Sequence, residues 1–147
     1  MNSPEKVFFA VLISATIPAG AHGQSSADSA AIRQTALDYV QGWYAGDGAQ
    51  MERAVHPELA KRIVQTDARG RSRLMQQSAL TLINGTRMAE GRQTPPDRQT
   101  RNIRILDIFG NSASVRAEMS GWVDYMHVAK WNGQWRIVNV LWELKDQ

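Results

Sequence analysis

The chain has 147 residues, a formal net charge of +3, five tryptophans and no cysteine. That length holds one domain. The missing cysteine excludes disulfide scaffolds, thiol nucleophiles and thiolate metal sites.

The first residues carry the order of a secretory signal. Lys6 supplies a positive charge, residues 7–17 form an uncharged apolar run, and the small-residue cleavage patterns Ala19-Gly20-Ala21 and Ala21-His22-Gly23 follow. The run is shorter than the roughly 20 residues a membrane-spanning helix needs, and Pro18 and Gly20 break it. The expectation is a leader over residues 1–23, a mature chain starting near His22 or Gln24, and a periplasmic or secreted location with no membrane attachment after cleavage. Basic residues concentrate between Lys61 and Arg104, with no aromatic residue between them. Single-strand nucleic-acid surfaces interleave charge with stacking rings, so the pattern reads as a solvated basic face, with no nucleic-acid partner expected.

Residues 24–30 read as a short linker or helix lead-in, and a domain is expected over 31–147. Ile32, Ala36, Tyr39, Val40 and Trp43 recur at spacings of three and four, one stripe of an amphipathic helix. Asp28 or Ser29 suits its N-cap, and Gly46-Asp47-Gly48 its end. A short helix over 49–55 stops before His56-Pro57. Residues 58–67 remain ambiguous and 69–73 read as a polar loop. A further helix is expected over 72–84, ended by Gly85, and residues 85–100, with Gly91 and Pro95-Pro96, as a mobile connection.

From Arg101 the period changes to two. Four strands are expected, about 101–109, 112–120, 122–131 and 134–144, separated by Gly110-Asn111, Gly121 and Asn132-Gly133. Asn-Gly between apolar runs is a strong hairpin signal. Helices first and an antiparallel meander last describe an α+β fold. A helix laid across a twisted, bending sheet makes a cone with a hollow beneath the helix.

Residues 39–47, YVQGWYAGD, resemble the first-helix motif of the nuclear-transport-factor-2-like superfamily, an aromatic helix ending in a Gly-Asp turn. Residues 122–142 resemble the closing hairpin of its branch named "Putative lumazine-binding", and His56-Pro57-Glu58-Leu59 fits that branch as well. The resemblance implies a cone of a strongly curved antiparallel sheet with about three N-terminal helices. It also implies a ligand pocket and a homodimer formed through the sheet. The superfamily hosts enzymes and binders alike, so fold does not decide function.

Among relatives, ketosteroid isomerase and SnoaL-like proteins set the enzymatic comparison. By that resemblance Tyr39 matches a tyrosine that donates to a substrate oxyanion, and His127 falls where that isomerase keeps a protonated aspartic acid. The corresponding base is missing: Ile63 and Val64 occupy its region, and Asp67 is the nearest carboxylate. Strand alternation divides Val123, Tyr125, His127 and Ala129 from Asp124, Met126, Val128 and Lys130. Taking Asp124 and Lys130 as the solvent side turns Tyr125 and His127 inward. Trp122, opening a strand, suits a pocket mouth. Trp43, Trp131, Trp135 and Trp142 suit a core. His56 reads first as a structural residue before proline and second as a pocket residue. Asp107 and Glu118 read as solvent-facing. No residue cluster has metal-ligand spacing, and there is no phosphate loop or dinucleotide fingerprint, so no cofactor is expected.

Three readings follow. The first is an exported domain binding a small molecule of unassigned identity in a cone pocket lined by Tyr39, Trp43, His56, Trp122, Tyr125 and His127. The second is an acid–base enzyme of isomerase, dehydratase or cyclase type on a carbonyl substrate, with Tyr39 and His127 as donors. The third is a non-catalytic module that dimerises through its sheet.

Overall fold

The computed structural model describes residues 25–145. The expected leader, residues 1–23, lies outside the described residues. Helix α1 spans Ser26–Ala45 and starts inside the stretch read as a lead-in. Its N-cap is Ser25, whose side chain accepts from the Asp28 amide. Asp28 instead faces the sheet, accepting from Lys130 Nζ and Trp135 Nε1, both at 2.9 Å. The expected stripe is the buried one: Ile32, Ala36, Tyr39 and Val40 lie in the core, with Trp43 half-buried. Gly46, in the left-handed conformation at φ 66°, closes the helix. Helix α2 (Gly48–Ala54) is capped by the Asp47 carboxylate, which accepts from the amides of Ala49 and Gln50.

The next segment departs from the reading. Residues 55–66 form strand β1 (Val55–Thr66), and the helix expected from Ser72 is first a strand, β2 (Ser72–Ser78). The two make an antiparallel hairpin in the register Ile63 with Met75 and Lys61 with Gln77. Its turn is built by Asp67, whose carboxylate accepts from the amides of Arg69 and Arg71, with Gly70 at φ 76°. Every residue of β2 is exposed. The Leu74 and Met75 apolar pair that suggested a helix therefore extends a sheet instead, because the open edge of β1 offers backbone partners. Ser78 then caps helix α3 (Ala79–Arg87), accepting from the Thr81 amide. The third helix thus follows a hairpin rather than preceding all strands.

Most of the stretch 85–100, read as a mobile connection, is a strap held to the rest of the fold, with two short 3₁₀ turns, Glu90–Gln93 and Pro96–Arg98. Arg92 Nε donates to the Ala45 carbonyl at 2.8 Å, and Ser120 Oγ donates to the Arg98 carbonyl at 2.6 Å. The four strands of the second half fall where expected: β3 (Asn102–Phe109), β4 (Ser112–Glu118), β5 (Trp122–Trp131) and β6 (Gln134–Leu144).

The six strands form one curved, unclosed sheet in the order β2-β1-β6-β5-β4-β3. All neighbours are antiparallel except β1 and β6, which run parallel. Pairing of β1 with β6 is interrupted between Val55 and Ala60, where Pro57 has no amide to give to a ladder. The helices cover one face. Beneath them lie Val115, Ala117, Met126, Val128, Ile137 and Val140, all nearly inaccessible to solvent.

Candidate functional site

Between α1, α3 and the β1–β6–β5 part of the sheet is a cavity of about 270 Å³. Its walls are Tyr39 and Trp43 from α1, Leu82 from α3, Trp122 from β5 and Trp142 from β6. Lys61 and Gln77 come from β1 and β2, Glu90 from the strap, and Met119 and Leu144 complete the lining. Three indoles stand edge-to-face in series: Trp43 to Trp122 at 6.2 Å between centroids, and Trp122 to Trp142 at 6.5 Å. The Trp43 indole nitrogen is buried without a hydrogen-bond partner among the described residues. An unmet donor of this kind costs about 1–3 kcal/mol.

At the inner wall is a buried polar cluster. Lys61 Nζ donates to Tyr39 Oη at 2.7 Å and to Asp124 Oδ1 at 2.7 Å. Trp122 Nε1 donates to the other Asp124 oxygen at 3.2 Å. Lys61 is 6% exposed and Asp124 fully buried. The ammonium also lies over the Trp142 ring, 4.8 Å from its centroid, a favourable cation–π position. Burial is the main influence on Lys61 and lowers its pKa, with Asp124 opposing the shift. Burial, then the neighbouring Asp124 charge and hydrogen bond, hold the Tyr39 hydroxyl well above its ordinary range, so Tyr39 is neutral. The cavity therefore combines indole and aliphatic walls with a few polar groups, Lys61, Gln77 and Glu90.

The sequence reading misses Lys61 and Asp124 because it took charge as a sign of solvent. On β5 the inner set is Asp124, Met126 and Val128, while Tyr125 and His127 are exposed on the opposite face. The Asp124 charge is tolerated inside because Lys61 crosses from β1 to meet it. The signal was present twice: Leu59-x-Lys61-x-Ile63 puts lysine on an apolar strand face, and Trp122-x-Asp124-x-Met126 does so for aspartate.

Of the six residues expected at the pocket, Tyr39, Trp43 and Trp122 converge on the cavity. His127 is on the outer face, its Nδ1 3.3 Å from Asn139 Nδ2. Tyr125 is beside it, 49% exposed. The arrangement needed for Tyr39 and His127 to act on one substrate atom does not exist, since the sheet lies between them. His56 belongs to a separate groove of about 640 Å³, where it meets the Trp131 ring edge-on at 4.9 Å. Several of that groove's polar groups are tied to their neighbours. His56 Nδ1 accepts from the Glu58 amide, and Arg136 donates to the carbonyls of Glu52 and Arg53. Trp131, expected in the core, is 56% exposed; Trp135 is buried and Trp142 lines the cavity. Asp107 is exposed as expected, and Glu118 is half-buried between Arg116 and Lys145. Among the described residues no group of three or more His, Asp or Glu is placed to hold a metal ion, and no helix is long and apolar enough to cross a membrane.

The sequence profile of the family described as "Putative lumazine-binding" matches residues 27–143. The chain belongs to that family. Solved structures place the "Putative lumazine-binding" chain in a wider fold group. An NTF-2 like protein of unknown function from Shewanella baltica OS155 is 20% identical, with a TM-score of 0.63 over 85% of this chain and 100% of that one. Another from Silicibacter pomeroyi DSS-3 is 19% identical, with a TM-score of 0.61 over 84% of this chain and 100% of that one. A protein of unknown function with a cystatin-like fold from Nostoc punctiforme PCC 73102 is 14% identical, with a TM-score of 0.58 over 84% of this chain and 95% of that one. At such identities the likeness concerns fold alone, and it agrees with the α+β cone read from the residues. No curated protein matches this member of the "Putative lumazine-binding" family.

Proposed function

We propose that this protein is an exported small-molecule-binding domain whose ligand occupies the tryptophan-walled cavity. One observation carries the reading: Lys61, buried and held by Tyr39 and Asp124, lines a cavity whose other walls are mainly indole and aliphatic groups. Mostly apolar concave sites with a few convergent polar groups, one of them with a shifted pKa, are the usual form of ligand sites. The edge-to-face indoles suit a flat ring system, and Lys61 suits an acceptor atom on it. The family description agrees with a small-molecule ligand.

The test is thermal unfolding and tryptophan fluorescence across a panel of flat heteroaromatic compounds, lumazine included. A binder at 100 times its Kd adds about 2.7 kcal/mol to stability. Trp122→Ala is expected to weaken its binding about tenfold, a loss of about 1.4 kcal/mol. A panel in which no compound shifts either signal overturns the reading.

A second reading, pairing of two copies through the outer sheet face, rests on a specific observation. Val64, Leu74, Tyr125 and Leu141 are each 45–61% exposed there. Tyr125 sits directly opposite Leu141, and Leu74 opposite Val64.

A further inference from the structure

We propose that the Lys61 ε-amine is a carbonyl-trapping nucleophile, condensing with a small planar aldehyde or ketone held in the cavity to form a Schiff base. The inference rests on the cavity being a ligand site and adds a covalent step to it.

The geometry supplies each requirement. Lys61 is the lysine among the residues that line the cavity, and its Nζ lies over the Trp142 ring. Two neighbours at 2.7 Å, Asp124 and Tyr39, hold Nζ in place. A fully buried carboxylate against an almost fully buried amine can exchange the proton between them, and desolvation is how lysine amines are made nucleophilic. Burial moves Lys61 in that direction. Asp124 is kept in position by Trp122 Nε1 and accepts the proton that frees the amine lone pair. That lone pair forms a C–N bond to the carbonyl carbon while the C=O π electrons move to oxygen. Tyr39, neutral and already touching Nζ, can protonate that oxygen. The nitrogen returns a proton to Tyr39, Asp124 passes its proton to the hydroxyl, and the C–O bond breaks so that the oxygen leaves as water. In sum, one ammonium and one carbonyl yield one protonated imine and one water, with two amine hydrogens in the water and one on nitrogen. The product keeps the positive charge under the Trp142 ring, where the ammonium was.

The chain has four lysines, Lys6, Lys61, Lys130 and Lys145. Lys130 and Lys145 are about one-third exposed and ion-paired at the surface, with Asp28 and Glu118. They serve as internal references. The full chain is incubated near pH 7 with benzaldehyde and sodium cyanoborohydride, which reduces the imine to a stable secondary amine, and the adducts are mapped by peptide mass spectrometry. The inference expects at least about tenfold more adduct at Lys61 than at Lys130 or Lys145, because a desolvated, positioned amine is the better nucleophile. Excess benzyl alcohol, a similar ring without a carbonyl, should suppress the Lys61 adduct selectively. If benzaldehyde or benzyl alcohol changes tryptophan fluorescence but Lys61 gains no preference, the amine chemistry is overturned and the cavity reading stands. Lys61 labelling that benzyl alcohol leaves unchanged overturns the inference too. If neither compound perturbs the indoles and Lys61 stays unlabelled, the covalent inference fails, and the heteroaromatic panel decides the cavity reading separately.

Discussion

A lysine and an aspartate facing each other inside a protein are costly to place there, because each loses its hydration. Lys61 and Asp124 offset that cost with short contacts and with Tyr39, Trp122 and Trp142 around them. Removing one partner leaves the other charge buried and unpaired. Asp124→Ala is therefore expected to lower unfolding free energy by about 3–5 kcal/mol, read by urea denaturation. The double change Lys61→Met with Asp124→Leu removes both charges and should cost clearly less than Asp124→Ala alone. A double variant as unstable as the single one would mean that the pair, not its imbalance, holds the fold. Charge alone misplaces these residues in a sequence reading, because a buried ion pair has its two halves on different strands, 63 positions apart.

At the scale of elements, local chemistry settles ends better than identities. The Gly46 cap, the Asp47 cap and the Asn132-Gly133 hairpin are all where residue type puts them. The hairpin β1–β2 was not legible, because Leu74 and Met75 fit a helix stripe as well as a strand that pairs with Ile63 and Val64. The strap after α3 was misread for a related reason: its order comes from contacts with the distant Ala45 and Ser120. Gly91 shows how closely the strap sits. A Cβ there would lie 2.3 Å from the Trp43 carbonyl oxygen and 2.6 Å from its Cδ1. Gly91→Ala should destabilise by about 1–3 kcal/mol and weaken ligand-induced fluorescence change, because Trp43 must move from the cavity wall. Gly121→Ala, with nothing within 4 Å of the added carbon, should stay within about 0.5 kcal/mol of the wild type. Equal effects at the two positions would show that the strap gives way freely.

For the molecule as a whole, the sheet has one face under the helices and one open. On the open face a row runs Arg62, Leu141, Tyr125, Arg116 and Arg104 across neighbouring strands. An apolar centre with basic ends can meet a second copy only if the like charges are offset from one another. A dimer through this face predicts that sedimentation at high concentration gives twice the chain mass, and that Leu141→Arg returns it to one. A wild-type monomer under those conditions removes the second reading and leaves the cavity proposal intact.

Residue order by itself determined the α+β fold, the aromatic stripe of α1, and the four-strand meander with its turns. Those features depend on near neighbours along the chain, through helical or strand periodicity and turn chemistry. Only tertiary structure decided which face of β5 is buried, that β1 runs parallel beside β6, and that Lys61 meets Asp124. Alternation along a strand defines two faces without saying which one is inside. That choice is made by the total burial of all the elements together, and here the match between a lysine on one strand and an aspartate on another allowed the charged face to be the inner one.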